Sequence, residues 1–168
     1  EFKGIDVAAT TVGVNTVVVQ QKVDGEHSIF DFDGSRITLA NAYGTLRQNI
    51  NPMTAEFEQL LISKGITQLR RAGELYALPE GQERSPLNVV EHIIKAPSPQ
   101  EETRIALAIF DVVEVNGNPI QGKYFERLLW LQGVLGTTAQ RVHIVYSTQG
   151  DANVIRDLWE RNVLGPYK

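Results

Sequence analysis

Apolar and polar residues along this chain repeat with two different periods, and the switches between them mark its elements. From Val14 to Gly44, "VNTVVVQQKVDGEHSIFDFDGSRITLANAYG" carries β-branched and aromatic runs broken by Asp24-Gly25 and Asp33-Gly34. Asp-Gly between such runs is the strongest short hairpin signal, so the stretch predicts a three-stranded antiparallel meander. "NPMTAEFEQLLISKG" then puts Met53, Phe57, Leu60 and Leu61 on one helical face, with Pro52 near the start and Gly65 as a stop. One amphipathic helix is expected to cover the sheet. "ITQLRRAGELYALPEG" predicts a strand ending in a Pro/Gly turn, and "SPLNVVEHIIKAP" a helix capped by Ser85 with Pro86 in its first turn. "TRIALAIFDVVEVNGNP" is too β-branched and too apolar for a surface element. It predicts a central strand closed by Asn116-Gly117. The remainder predicts a helix in "KYFERLLWLQGVLG", a strand in "QRVHIVYST" and a helix in "DANVIRDLWERNVLG", capped by Asp151 and stopped by Gly165.

This order defines an α+β class, with antiparallel β-sheets flanked by helices, and composition fits it. With 168 residues, 42% apolar and 21% charged, the chain can bury a useful core as one domain or a substantial piece of one. It has no cysteine, which removes disulfide frameworks, zinc-thiolate sites and thiol nucleophiles together. His27, His92 and His143 are far apart and show no ligand spacing, whereas Mg²⁺ held by carboxylates or phosphates stays compatible. No apolar run approaches bilayer length, and "EFKGIDVAATT" lacks the order of a signal peptide. A soluble, cytoplasmic, monomeric protein without a membrane partner is expected. The net charge of −4 gives no wholesale basic surface, so any nucleic acid must be held by a local patch.

Chemistry concentrates in three short stretches: "KVDGE" at Lys22 to Glu26, "AGELY" at Ala72 to Tyr76 and "LAIFDVVEVNG" at Leu107 to Gly117. Lys22-Val23-Asp24-Gly25 reads either as a solvated hairpin tip or as a nucleophile on a rigid turn. A lysine amine held at a strand end attacks an α-phosphate once it is deprotonated, and a nearby cation or burial favours that form.

The order and spacing of these stretches resemble the motifs of ATP-dependent polynucleotide ligases and mRNA capping enzymes, the nucleotidyltransferases marked by K-x-D-G. The resemblance runs over nearly the whole chain and implies the ATP-grasp-like adenylation fold of the ligases. It implies that Lys22 takes AMP from ATP, that Asp24 and Gly25 shape its turn, and that Glu74 lies near the ribose and a Mg²⁺ ion. Phe110 is implied against the adenine face, and Gln20 where ligases contact the base edge. Nicked DNA is the implied partner. RNA ligase, capping guanylyltransferase and a non-catalytic relative that kept the meander all stay open as alternatives.

Two positions depart from the ligase pattern. His27 stands where ligases commonly have arginine, and Asn41-Ala42 where many have Ser-Arg, with Arg47 in "TLRQN" as a candidate substitute. The family's later E-G-x-V-x-R and K-x-K stretches and its OB-fold domain are also absent, so residues 1–168 are read as a partial adenylation domain. Other residues invite blander readings. Phe110 suits a core strand, His92 and His143 are read as structural, Trp130 and Trp159 as packing, and Arg70-Arg71 as solvated.

Overall fold

A computed structural model describes residues 16–78, 87–136 and 139–164. In chain order the strands are β1 (Val17–Gln20), β2 (Glu26–Phe32), β3 (Ile37–Asn41), β4 (Leu69–Ala77), β5 (Ile105–Val115), β6 (Asn118–Pro119), β7 (Val142–Ile144) and β8 (Ser147–Gly150). The helices are α1 (Asn51–Ser63), α2 (Leu87–Lys95), α3 (Pro99–Glu102), α4 (Tyr124–Leu135) and α5 (Ala152–Leu164). These elements form two compact units. The larger draws its described residues from Val23–Glu80 and Ser85–Val145, the smaller from Glu1–Lys22 and Tyr146–Lys168.

The larger unit is built on a six-stranded sheet of order β3-β2-β4-β5-β6, with β7 parallel to β5. Strand β2 alternates strictly. Ser28, Phe30 and Phe32 face inward, while His27, Ile29 and Asp31 face out, the period of two that the pleat imposes. Met53, Phe57 and Leu61 of α1 meet this inner face, and the Phe57 ring stands edge-on to Phe30 at 5.8 Å between centroids. Residues Ile105 to Ile109 of β5 are all buried, as befits a strand that β4 pairs on one edge and β6 and β7 on the other. At the end of β5, Asn116 (φ 50°) and Gly117 (φ 76°) turn the chain into β6, two successive positive φ values that suit Asn-Gly. Thus the α+β class, the covering helix and the central strand are all present.

Two expectations need correction. The predicted meander lacks its first strand, because β1 pairs with β8, with Val17 opposite Gly150 and Gln20 opposite Ser147. Strand β2 has no edge to offer it. One side of β2 is taken by β3 and the other by β4, from Glu26 opposite Leu75 to Phe32 opposite Leu69. Asp24-Gly25 therefore lies in a connection and not in a hairpin. The predicted "QRVHIVYST" strand is likewise divided: β7 belongs to the larger unit and β8 to the smaller. Between them the Val145 amide donates to the Ile109 carbonyl at 2.8 Å, which ends the parallel pairing.

The smaller unit contains β1, β8 and α5. Asp151 caps α5 as expected, its carboxylate accepting from the amides of Asn153 (2.9 Å) and Val154 (3.2 Å). The expected roles of Ser85, Pro86 and Gly165 lie outside the described residues. Among the described residues no helix is long and apolar enough to cross a membrane.

Candidate functional site

The outer face of the six-stranded sheet, opposite the core, gathers most of the polar and aromatic groups of interest. Register fixes the row: His27 on β2 lies opposite Glu74 on β4, Glu74 opposite Ala108 on β5, and Ala108 opposite His143 on β7. Side chains at paired positions share a face, so Glu74 stands between two histidine positions with one alanine intervening.

Phe110 reaches this face through an irregularity. In the pairing of β4 with β5, Ala72 opposes Asp111 and Gly73 opposes Ile109, so Phe110 is the extra residue of a bulge. Bulges re-aim a side chain and occur often beside active sites. Here the core alternation Ile105, Leu107, Ile109 resumes at Val112, which leaves both Phe110 and Asp111 half-buried. The Phe110 ring packs against His27 at 5.5 Å between centroids, with 32° between the planes. Its backbone is held as well. The Tyr124 hydroxyl donates to the Phe110 carbonyl at 2.7 Å, and Arg127 donates from Nε and Nη2 to the two Asp111 carboxylate oxygens, each at 2.8 Å. That carboxylate raises the Arg127 pKa further above its ordinary value.

Two glycines of the motifs serve close packing. A Cβ on Gly25 would lie 2.3 Å from the Leu75 carbonyl oxygen, and one on Gly73 would lie 2.8 Å from that of Ala108. Neither contact leaves room for a side chain. Gly25 thus seats the connection before β2 directly on β4, one residue beyond Glu74.

The site residues expected from the sequence divide between the units. Glu74, Phe110, Asp24 and Gly25 belong to the larger unit, and Gln20 and Lys22 to the smaller. Lys22 and Asp24 are exposed. The Gln20 amide donates to the Ser147 hydroxyl at 2.9 Å across β1 and β8. Arg47, the candidate substitute for a missing arginine, is instead engaged by Glu26, to which its Nε donates at 2.7 Å, and both side chains are only 17% exposed. Its charge is already matched.

Sequence reasoning missed the Tyr76–His143 pair. The Tyr76 hydroxyl lies 3.2 Å from His143 Nδ1, with the rings edge-on at 5.5 Å. Burial holds the His143 pKa below its ordinary value. Strand alternation from Glu74 places Tyr76 on the outer face, but only the parallel register of β7 brings His143 to it.

For a metal, Glu74 offers a hard carboxylate oxygen on this face. Mg²⁺ is commonly held by one or two carboxylates, with substrate phosphates and water completing its octahedron, and the residue fits that use. Among the described residues no group of three His, Cys, Asp or Glu side chains could hold an ion by itself.

No family model and no curated protein matches this chain. Its fold does recur in solved structures. A structure named Pmar-Lig_Pre superposes with a TM-score of 0.67 at 12% identity, over 95% of this chain and 37% of that one. The ligase domain of M. tuberculosis LigD gives 0.62 at 15% identity, over 92% and 47%. A mycobacterial DNA ligase D complexed with ATP and MES gives 0.60 at 17% identity, over 88% and 45%. The chain shares its α+β fold with these three structures and spans less than half the length of each.

Proposed function

We propose that this chain is the adenylation part of an ATP-dependent polynucleotide ligase, with DNA as the favoured strand. The observation that carries the reading is the coincidence of K-V-D-G with a ligase-domain fold, on a sheet face that brings together Glu74 and the bulged Phe110. In this reading the adenine stacks on Phe110, where a flat ring gives contact without demanding a sequence. Glu74 would hold the ribose and the Mg²⁺ ion. Bound Mg²⁺ supplies neutralisation of the charge building on the triphosphate. Gln20 reads the base edge, and Asp24 and Gly25 fix the backbone beside Lys22.

Lys22 Nζ, having lost a proton, forms a bond to the α-phosphorus while the bond from that phosphorus to the pyrophosphate oxygen breaks. The product is a lysyl-AMP phosphoramidate. A 5′-phosphate then takes the AMP from Lys22, and the adjacent 3′-hydroxyl displaces AMP to seal the strand. Holding the two ends in line supplies much of the acceleration of such a step.

The test is the intact mass of the longest natural form carrying this chain, after incubation with Mg²⁺ and ATP or GTP, with peptide mapping. The expected result is an AMP adduct on Lys22 that pyrophosphate discharges and that Lys22→Ala abolishes. A GMP adduct would place the chain with capping enzymes. No adduct, with nicked DNA and RNA left unsealed, would leave a non-catalytic relative, the reading that His27 and Ala42 at the arginine positions favour.

A further inference from the structure

We infer that His143, oriented by Tyr76, donates a hydrogen bond to a ring nitrogen of the purine taken up on the outer face of the sheet. The inference rests on the nucleotide site proposed above and adds to it a residue that reads the base. Three features support it. First, position: Phe110 lies two residues from Ala108 along β5, and His143 lies opposite Ala108 on the neighbouring strand. Strand geometry puts the two positions about 8 Å apart on one face, so a purine stacked on Phe110 brings an edge within reach of the imidazole.

Second, orientation. Tyr76 and His143 are two strands apart, and the residues between them on that face, Ala106 and Ala108, carry only methyl groups. The phenol can therefore reach across β5 to Nδ1. A phenol keeps its proton near neutral pH, and when it donates to Nδ1 the imidazole proton is placed on Nε2.

Third, charge. His143 is half-buried, and burial disfavours its protonated form. A neutral imidazole N–H suits an uncharged acceptor such as a purine nitrogen, whereas phosphate calls for a cation. If the acceptor is N1, the contact also separates adenine from guanine, whose N1 carries a proton.

The experiment is calorimetric binding of ATP and of 1-deaza-, 3-deaza- and 7-deaza-ATP, with Mg²⁺, to the longest natural form carrying Lys22→Ala, which forms no adduct, with and without each further substitution, beside the intact mass of the wild type after the same incubation. His143→Ala is expected to weaken ATP about tenfold, near 1.4 kcal/mol, and to leave unchanged the one analogue that lacks the contacted nitrogen. His143→Gln, whose amide reaches the place of Nε2, is expected to stay within about threefold of the Lys22→Ala parent. Tyr76→Phe keeps the ring and removes the orienting hydroxyl, and is expected to weaken ATP in the same analogue-dependent way. Equal loss for all four nucleotides, or no loss in either His143→Ala or Tyr76→Phe, would overturn the inference. ATP binding by the Lys22→Ala parent, with no lysyl adduct on the wild type, would overturn the ligase reading and leave this one standing. Absence of ATP binding by that parent, with no adduct on the wild type, would overturn both.

Discussion

Arg71 is the largest of the fully buried side chains, and its surroundings are apolar. Its guanidinium carbon lies 4.4 Å from the Phe30 ring centroid and 3.7 Å from that of Phe57, and among the described residues none of its three guanidinium nitrogens has a hydrogen-bond partner. Burial drives its pKa well down. Cation–π contacts of this kind are worth about 2 kcal/mol when desolvated, less than the several kcal/mol that an uncompensated buried ion costs. Arg71→Met keeps the length and the contacts with both rings while removing the charge. Urea unfolding is therefore expected to show a gain of roughly 1–4 kcal/mol, and a lowered midpoint would mean that the guanidinium carries a counter-charge in solution. Strand period made half of this legible. In "LRRAGELYA" alternate residues point to opposite faces, so Arg70 and Arg71 cannot both be solvated. Arg70 is outside, with its Nε 2.8 Å from Asp31. Nothing in the identity of the second arginine said that its place is in the core.

The two Asp-Gly pairs show how far local signals reach at the level of hairpins and strands. Asp33-Gly34 makes the β2–β3 turn as expected. The Asp33 carboxylate accepts from the amides of Ser35 (2.9 Å) and Arg36 (2.8 Å), and Gly34 takes φ 99°. Asp24-Gly25, identical in wording, is overruled by competition for the edges of β2, which only the long-range β2–β4 pairing decides. Partners distant in sequence were equally illegible in the β1–β8 pair, the parallel β7 and the bulge that presents Phe110. By contrast α3 had a local signature that went unread, the capping box of Ser98 and Glu101. The β2–β3 turn also carries a pH dependence of known sign. Hydrogen bonds from Arg36 and Ser35 lower the Asp33 pKa below its ordinary value of 3.8. The stabilisation is thus fully present above that value and is lost as pH falls through the lowered folded pKa. Asp33→Ala is expected to melt below the wild type at neutral pH, with the gap closing in strong acid. A gap independent of pH across that window would show that the charge contributes nothing to the turn.

For the molecule as a whole, the division into two units separates the core from the proposed nucleophile. Every residue of the buried apolar cluster among the described residues, from Phe30 to Val142, falls within the larger unit. The smaller unit joins β1 to β8 through contacts such as Gln20 with Ser147, 127 residues apart in sequence. Closing so long a loop costs entropy that must be offset by whatever the closed segments bury, and β1 is half-buried along its length. The larger unit, by contrast, has a continuous core and a length near that of common independent domains. A fragment from Val23 to Val145 is therefore expected to unfold in one cooperative transition in urea. It keeps Glu74, Phe110, Tyr76 and His143 but lacks Lys22, so it is expected to form no nucleotide adduct even at concentrations where it binds ATP. Loss of the cooperative transition would mean that β1, β8 and α5 are needed to hold the sheet. An adduct on the fragment would remove Lys22 as the nucleophile. Cooperative folding with ATP bound and unreacted would locate recognition on the sheet face and leave the chemistry to the segment that carries Lys22.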